Sequence, residues 1–585
     1  MSTPAETAWQ VRELLSQLEF AQAGRLLEEA LKEHADDPDL NSLMCFVLAH
    51  VGRTAEALTF AERAAGAAPE HPHVLTNLGS ALMNLGRLDE AVDVLRRAVS
   101  FEGVGTRARH ALAMTLNVAK RYGEAVDVAR EGLDRAVMDP ALSMDLAGSY
   151  VGLARADLAA KTLRGMLSWY PDQPNAVGNL ATMLNYVPGL DPLTIRQAHD
   201  AYGDILGRFL PPPQPPAISD PDPERILRLG VIIPDLVGNA VAQFIRPLLE
   251  NLDTSRFELF VYYTSPAENV EAAWPRMVAH TARRLPWHTE AQMDPVLRGD
   301  RLDILMDLVG MTTHHRLPSM HLKPAPIQVT YAGYPNTTGI AAIDYRIVDS
   351  ITDPPGAERL SVEKLVRLDP CFLCFVPPEL APEASRTRGR PITFGSFNHL
   401  PKINDKLLRL WARVLEAVPG SRMVIKAEAL SHADTRGSLM ERFVASGAEA
   451  SRVEIRPPTT TRAEHLAMYS EIDIALDTFP YHGTTTTCEA MYVGVPVVTL
   501  AGNSHVSRVG VSLLTNAGMA ENVAGSEDEY VRIAAGLAGE GARLDSLRGG
   551  LRKQMMASPL CDTGAFAKRF QAALRVMWRD RCGRG

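Results

Sequence analysis

The segment DIALDTFPYHGTTTTCEAMYVGVPVVTL, residues 473–500, carries the strongest indication of how this chain folds. An apolar run ends at Asp477 and Thr478, and a loop containing proline and glycine follows. Thr484 to Thr487 then begin a stretch of helical character, and a second apolar run closes the segment. Strand, loop, helix and strand in this order are typical of a parallel sheet covered by helices.

The threonine loop after Gly483 predicts a phosphate or diphosphate site. The first N–H groups of a helix lack partners within the helix, and the positive end of its dipole attracts an anion. We expect the hydroxyls of Thr484, Thr485 and Thr486 to add donors to the same anion. We also expect Glu489 on the first turn, where its carboxylate can accept hydrogen bonds from a ribose diol. Capping by a single threonine is the alternative, but four threonines exceed what a cap needs.

A second loop lies in FGSFNHLPKINDKLLRLW, residues 394–411. We expect a strand to end at Asn398 and a helix to begin after a cap at Asn404, with Lys402 between them. A lysine in this place neutralises phosphate charge as a leaving group departs. A lysine before a helix is by itself more often a solvated surface residue. The threonine loop in the same domain favours the phosphate role.

The C-terminal two thirds of the chain alternate short β-rich runs with amphipathic helices. This alternation predicts two doubly wound domains, residues 225–388 and 389–585, with a ligand cleft at the carboxyl ends of their strands. The β-rich runs are 227–235, 257–265, 302–310, 327–333 and 345–350, followed by 392–398, 422–427, 453–457, 473–478 and 495–500.

The N-terminal part of the chain has a 34-residue period, which is that of tetratricopeptide repeats. It predicts an α-solenoid over residues 1–189, with about five repeats and a partial sixth, whose curved surface holds another protein. A plain helical bundle does not explain so strict a period. A capping helix and a proline-rich linker are expected over 190–224. The periodic positions are Pro4, Pro38, Pro72, Pro140 and Pro174, and Ala23, Ala57, Ala91, Ala125 and Ala159.

Composition limits the possible classes of partner. The 585 residues carry a net charge of −9, so a nucleic acid is not an expected partner. Six cysteines make no disulfide framework, and Cys371 and Cys374 are more simply structural than a zinc or redox pair. The N-terminus lacks the features of a signal peptide, and we expect no membrane span. A reducing cytoplasm is the default location.

Together the motifs resemble the O-linked N-acetylglucosamine transferase family, including its SPINDLY-type and bacterial members. The resemblance covers nearly the whole chain. It implies inverting glycosyltransferases of the GT-B type, with two Rossmann-like domains behind tetratricopeptide repeats, and no required metal or cofactor. The motifs are KPAPIQVTYAGYPNTTGIAAIDYRIVD (323–349), FGSFNHLPKI (394–403), residues 473–500, SRVGVSLL (507–514) and SPLCD (558–562).

The resemblance implies roles for individual residues. Lys402 corresponds to the lysine that contacts the donor diphosphate, and Thr485 and Thr486 correspond to the phosphate-binding threonines. Glu489 replaces the usual aspartate that holds the ribose, and His465 matches a histidine near the nucleotide base. The remaining nucleotide-sugar positions are Asn398, with His399 in place of the usual Gln or Asn, Gly483 and Thr484 in the threonine loop, and Thr337 and Thr338 in a loop that faces the donor sugar and the acceptor.

Three histidines of the family are absent from this chain. Asn239 and Gln243 replace two of them in DLVGNAVAQF, residues 235–244, and Met311 replaces the third. Asn and Gln form hydrogen bonds but cannot act as a base near neutral pH. Asn239 is therefore a candidate for a hydrogen-bonding role among the reacting groups. His314 is a candidate base, although a solvated loop is the simpler interpretation of His314 and His315.

These features predict a protein O-glycosyltransferase with Lys402, Asn239 and His314 as candidate catalytic residues. The resemblance to compact bacterial members favours flagellin as the acceptor and a CMP-linked nonulosonic acid as the donor. The alternatives are a transferase that uses UDP-N-acetylglucosamine on other proteins, and a repeat scaffold that binds a nucleotide without catalysis. A small-molecule transferase with incidental repeats is a third alternative.

Overall fold

The computed structural model describes residues 3–17, 19–101, 105–135, 138–234, 241–265, 279–285, 288–378, 381–382 and 389–583. The chain divides into two compact units. The first consists of Met1–Pro171 with His432–Thr435, and the second consists of Asp172–Ser431 with Arg436–Gly585.

The first unit is an α-solenoid of paired helices. Within each repeat the two helices are antiparallel neighbours, joined by a short turn. Its helices are α1 (Pro4–Ser16), α2 (Phe20–Glu33), α3 (Pro38–His50), α4 (Thr54–Ala67), α5 (Pro72–Asn84), α6 (Leu88–Val99), α7 (Thr106–Val118), α8 (Tyr122–Arg135), α9 (Pro140–Gly152) and α10 (Ala156–Trp169).

The 34-residue period has a direct structural cause. Each periodic proline is the first residue of a helix, where its missing N–H and fixed φ cost nothing. Each periodic alanine lies in the second helix of its repeat and is completely buried. Gly79 shows why the contact demands small residues, because a Cβ on it would lie 2.4 Å from Leu95. The predicted repeats are therefore confirmed at the level of individual contacts.

The second unit begins with two helices that pack against its first sheet. Tyr202, Ile205 and Leu206 of the second helix join a core formed with the strands of that sheet. The predicted capping helix is thus part of the wall of an α/β domain. The two helices are α11 (Pro174–Leu184) and α12 (Pro192–Phe209).

The first sheet is parallel throughout, with the strand order β3-β2-β1-β4-β5-β6-β7. Its strands are β1 (Leu227–Ile233), β2 (Phe257–Tyr263), β3 (Thr281–Arg284), β4 (Ile304–Asp307), β5 (Ile327–Thr330), β6 (Tyr345–Val348) and β7 (Lys364–Arg367). The described helices beside them are α13 (Ala242–Glu250), α14 (Glu290–Gly299) and α15 (Leu317–His321).

The second sheet is also parallel, with the order β10-β9-β8-β11-β12-β13. Its strands are β8 (Thr393–Ser396), β9 (Arg422–Lys426), β10 (Val453–Arg456), β11 (Ile474–Leu476), β12 (Val497–Leu500) and β13 (Val523–Ala524). Its helices are α16 (Asp405–Ala417), α17 (Ala433–Ala445), α18 (Arg462–Ala467), α19 (Thr485–Tyr492), α20 (Val509–Asn516), α21 (Glu527–Gly539), α22 (Gly541–Met556) and α23 (Thr563–Cys582).

Every β-rich run predicted from the sequence contains a strand, and each strand is shorter than its run. Three strands were missed: β3, β7 and β13. All three lie at sheet edges, where one side of the strand meets solvent and a continuous apolar run is not needed. Edge position thus weakened the signal on which the sequence prediction depended, although the edge strand β10 was still predicted.

The last helix joins the two sheets. Trp578 of α23 is buried and donates to the Asp222 carbonyl, which fastens the proline-rich linker. Phe570 of the same helix packs edge-on against Tyr331, which follows β5. Cys371 and Cys374 are buried free thiols in the same core. Among the described residues, no cluster of three or more His, Cys, Asp or Glu is placed to hold a metal, and no helix is long and apolar enough to cross a membrane.

Candidate active site

A cavity of 270 Å³ lies between the two sheets of the second unit, beside the carboxyl ends of their strands. The first sheet contributes one wall, and the loops of the second sheet contribute the other. The first wall includes Thr330, Tyr331, Tyr334, Arg346 and Phe372, and the second includes Asn398, His399, Lys402, Tyr481, Thr484, Thr485, Thr486 and His505. The predicted position of the ligand site, at the strand ends, therefore coincides with a cavity.

The threonine loop is held in place by a buried carboxylate. Asp477 accepts hydrogen bonds from the Gly483 N–H at 2.7 Å and from the Thr499 hydroxyl at 2.8 Å. A Cβ on Gly483 would lie 2.7 Å from the Thr486 hydroxyl, so only glycine allows this approach. The N-terminus of α19 consequently points at the cavity with its N–H groups available to an anion.

Asn398 connects the two predicted loops. Its side-chain oxygen accepts a hydrogen bond from the Thr486 hydroxyl at 2.8 Å, across 88 residues of sequence. This bond holds the end of the β8 loop against the first turn of α19. The sequence prediction that these loops act together is consistent with this contact.

Lys402 lies on the same side of the cavity as the threonines. Its ammonium donates to the His482 carbonyl at 2.7 Å and lies 4.3 Å from the centre of the Tyr481 ring. Burial lowers the pKa of Lys402 to about 8, although Asp477 acts in the opposite direction. The helix after it begins at Asp405 with the predicted Asn404 cap, which accepts from the Leu407 N–H at 3.0 Å. Within the described part of the chain the ammonium has this one hydrogen bond, and a desolvated cation is well placed to exchange it for a phosphate oxygen.

Glu489 and His465 form a separate cluster that does not line the cavity. Glu489 is the fifth residue of α19, one turn later than expected, and is buried. Its carboxylate contacts Arg462 at 2.9 Å and His465 at 3.0 Å. His465 also contacts Lys426 through its other ring nitrogen. The carboxylate is thus already held by two partners in the absence of a ribose.

Thr337 and Thr338 lie away from the cavity, although the sequence placed them in a loop that faces the donor sugar. Both are completely buried, and their hydroxyls donate to the carboxylate of Glu363. Burial raises the pKa of Glu363, but the hydrogen bonds from Ser361 and the two threonines hold it below its usual value. The physical reason for the different position is that a buried carboxylate needs several hydrogen-bond donors, and the two threonine hydroxyls supply two of those that Glu363 receives. The two threonines therefore stabilise the loop through hydrogen bonds on its buried side.

The residues that replace the missing histidines lie in different surroundings. Asn239 lies outside the described residues. Gln243 faces the Arg462 guanidinium, to which its amide oxygen bonds at 2.8 Å when the amide is oriented to satisfy both groups. Met311 is buried in the core beside the first sheet. His314 is exposed, has a φ of 63°, and does not line the cavity. The structure therefore does not bring His314 to the site, and the solvated-loop interpretation fits its position.

Sequence reasoning missed three residues with ionisable side chains beside the cavity. Arg346, Asp353 and His505 are all nearly buried, and Arg346 and His505 line the cavity. They are separated by up to 159 residues, and no short motif joins them. Arg346 lies within the 323–349 motif and His505 precedes the SRVGVSLL motif by two residues, but neither motif indicates that the two residues lie at one cavity.

The cavity wall is supported by the first two helices of the second unit. The Tyr334 hydroxyl bonds to His199 of α12 at 2.7 Å and to Asn185 at 2.7 Å. Tyr186 stacks on Tyr481 of the threonine loop, with 4.8 Å between ring centres. The helices that follow the solenoid therefore contact both walls of the cavity.

Comparison with known proteins agrees with this geometry. Residues 217–376 and 386–570 match the model of glycosyl transferase family 41. The chain belongs to this family. Residues 48–114 match a tetratricopeptide repeat model. A solved O-GlcNAc transferase mutant of Thermobaculum terrenum has 32% identity and a TM-score of 0.80, and the match covers 88% of this chain and 98% of that one. The predicted fold, repeats followed by a GT-B fold, is confirmed.

Two plant members of the family are closely similar in sequence. Both are named "Probable UDP-N-acetylglucosamine--peptide N-acetylglucosaminyltransferase SPINDLY". The Arabidopsis thaliana protein is 40% identical over 425 residues, which is 70% of this chain and 46% of the relative. The Oryza sativa protein is 41% identical over 426 residues, with 70% and 45% covered. This chain therefore spans about half the length of these curated family 41 relatives.

Proposed function

We propose that this family 41 protein is an inverting O-glycosyltransferase that transfers a sugar from a nucleotide-sugar donor to a Ser or Thr hydroxyl of a protein. The observation that carries the proposal is the convergence of Lys402 and the α19 N-terminus on one cavity between two parallel sheets. The names of the plant relatives, which describe peptide glycosyltransferases, agree with it.

The chemistry is electrostatic stabilisation of the leaving phosphate. The N–H groups at the start of α19 and the hydroxyls of Thr485 and Thr486 bind the phosphate oxygens. The Lys402 ammonium leaves the His482 carbonyl and neutralises the charge that develops as the glycosidic bond breaks. A desolvated site strengthens each of these interactions relative to water. No metal or cofactor is required by this set of groups.

The solenoid is proposed to recruit the protein acceptor. Its helices form a repeat surface, and such surfaces bind extended segments of other proteins. Flagellin is the proposed acceptor, and the proposed location is the cytoplasm. The repeats then raise the local concentration of the acceptor hydroxyl at the cavity.

Two donors are proposed, and different observations favour them. UDP-N-acetylglucosamine is favoured by the names of the plant relatives. A CMP-linked nonulosonic acid is favoured by the replacement of three family histidines and by Arg346. The Arg346 guanidinium is buried at the cavity and has an Asp353 oxygen 3.5 Å away. A sugar carboxylate would complement this second positive group.

The test is an incubation of the full-length protein with flagellin and with each donor, followed by intact-mass measurement of the flagellin. We expect a gain of one or more sugar residues with one donor and no gain with Lys402→Ala protein. A gain in mass with UDP-N-acetylglucosamine alone would identify that compound as the donor, in agreement with the names of the plant relatives. If no donor is turned over, with flagellin or without it, while nucleotides still bind, the protein is the non-catalytic scaffold. Donor turnover without a mass gain on flagellin would instead mean that the acceptor is another molecule.

A further inference from the structure

His505 occupies a place at the cavity that the phosphate-binding role does not explain. It lies in a short turn between β12 and α20, is 7% exposed, and lines the cavity. The ring of Phe372 packs edge-on against it, with 5.1 Å between ring centres. The imidazole is therefore held in a fixed orientation at the boundary between the two sheets.

One ring nitrogen of His505 is bound to a carboxylate from the other domain. Its Nδ1 lies 2.5 Å from an oxygen of Asp353, which follows β6. Burial raises the pKa of Asp353, but the charge of Arg346 and the contact with His505 hold it well below its usual range. An ionised Asp353 fixes the proton on Nδ1, which makes Nε2 the basic nitrogen of the ring.

A carboxylate that holds the Nδ1 proton of a cavity-lining histidine is the arrangement of a base and its orienting group. The surrounding charges are compatible with this role. Arg346 lies 3.5 Å from the second oxygen of Asp353, so its charge also stabilises the ionised carboxylate. Lys402 lines the same cavity, together with the threonines that we propose to bind the phosphate. Asp353 is thus a positioning residue whose charge is balanced by Arg346.

We propose that His505 is the general base that activates the acceptor hydroxyl, with Asp353 as its positioning residue. This inference rests on the proposed function of the cavity. Nε2 takes the proton of the Ser or Thr hydroxyl as its oxygen forms a bond to the anomeric carbon. The bond from that carbon to the donor phosphate breaks, and its electron pair leaves with the phosphate. The proton on His505 then passes to solvent, so the cycle is balanced without another reactant.

The other histidines are weaker candidates for this role. His399 lines the cavity, but desolvation and the charge of Lys402 lower the pKa of its imidazole to about 4, which makes it a poor base. Its position next to the phosphate end also suits contact with the donor better than contact with the acceptor. His314 is exposed and does not line the cavity.

The test uses the full-length His505→Asn protein, since asparagine can still donate to Asp353 but has no basic nitrogen. We expect the turnover of sugar transfer to fall about 10²- to 10⁴-fold. The dissociation constant of the matching free nucleotide, CMP or UDP, should stay within threefold, and the acid side of the pH–rate profile should disappear. Imidazole added to His505→Ala protein should restore part of the activity. His280→Asn, a substitution of an exposed histidine before β3, is the matched control and should behave as the wild type.

The possible results separate this inference from the proposed function. Transfer by His505→Asn within threefold of the wild type would overturn the base role. The base role would also be overturned if the loss of nucleotide affinity accounted for the whole loss of rate while the pH profile stayed unchanged. His505 would then be a donor-binding residue. If the wild type hydrolyses a donor but modifies no protein, a lower hydrolysis rate in His505→Asn still supports the base role with water as the acceptor. A wild type that turns over no donor would overturn both proposals.

Discussion

The two walls of the cavity are built in different ways. The wall from the second sheet is formed mainly by two short segments, residues 398–402 and 481–486, which we propose to bind the donor phosphate, together with His505 and Val509. The wall from the first sheet takes Tyr331 and Tyr334 from the loop after β5, Arg346 from β6 and Phe372 from the chain beyond β7. Binding of an anion needs only a helix N-terminus and a loop, whereas recognition of a sugar and an acceptor needs groups from several elements. The residues predicted to bind phosphate are therefore local in sequence, whereas Arg346, Asp353 and His505 are brought together from both sheets.

The largest expected effect is at the phosphate wall. Lys402→Ala should lower transfer by at least about 10³-fold, because no other described cation lies at the threonine end of the cavity. The fold should persist, since the side chain makes one hydrogen bond. Lys406→Ala removes an exposed lysine that pairs with Glu527 and is the matched control. The measurement is the initial rate of transfer together with the melting temperature. A Lys402→Ala protein that keeps a tenth of the wild-type rate would contradict the assignment.

A smaller effect is expected from Gly483→Ala. The new Cβ would lie 2.7 Å from the hydroxyls of Thr486 and Thr487, so the loop must move away from its position. We expect nucleotide affinity to fall about tenfold or more, measured by titration calorimetry. Gly437→Ala, in α17, has open space around the added methyl group and should leave affinity unchanged. Equal affinity in the two variants would show that the loop geometry does not control phosphate binding.

The pH dependence of nucleotide binding follows from the pKa of Lys402. Burial lowers this pKa to about 8, so the free protein carries the ammonium below that pH and loses it above. A phosphate binds the charged form more tightly, and affinity should therefore be highest below pH 8 and fall at most tenfold per pH unit above it. The Lys402→Met protein should bind nucleotide more weakly, and its affinity should lack the decrease above pH 8 that comes from deprotonation of Lys402. The comparison is made by calorimetry between pH 6.5 and 9.5, and parallel curves for the two proteins would contradict the prediction.

The smallest effect on binding is expected behind the opposite wall. Thr338→Val removes a hydroxyl that donates to the buried Glu363 carboxylate. The free energy of unfolding should fall by about 1–3 kcal/mol, because the carboxylate keeps its burial and loses a donor. Nucleotide affinity should stay within twofold. A loss of affinity without a loss of stability would restore the sequence-based assignment of Thr338 to the donor site.

The sequence placed Asn398, Lys402 and the threonines at the ligand cavity, but it missed the Arg346, Asp353 and His505 cluster, for one physical reason. The phosphate role of the first group stays a prediction. The solenoid period, the central strands and the Asn398, Lys402 and threonine contributions depend on neighbours close in sequence, and these signals survive in a single chain. The Arg346, Asp353 and His505 cluster exists only because the two sheets meet, and the motifs in or beside which Arg346 and His505 lie do not indicate this contact. The sequence also could not show that Thr337 and Thr338 lie away from the cavity, because a polar loop residue looks the same whether it faces a ligand or a buried carboxylate.

The structure of the protein with its nucleotide bound tests the account most directly. We expect the phosphate oxygens of the bound nucleotide to lie within hydrogen-bond distance of the Lys402 ammonium and of the first N–H groups of α19. We also expect the sugar to lie toward Arg346 and His505. A nucleotide whose phosphate contacts Arg346 and His505, with Lys402 still bound to the His482 carbonyl, would contradict the account.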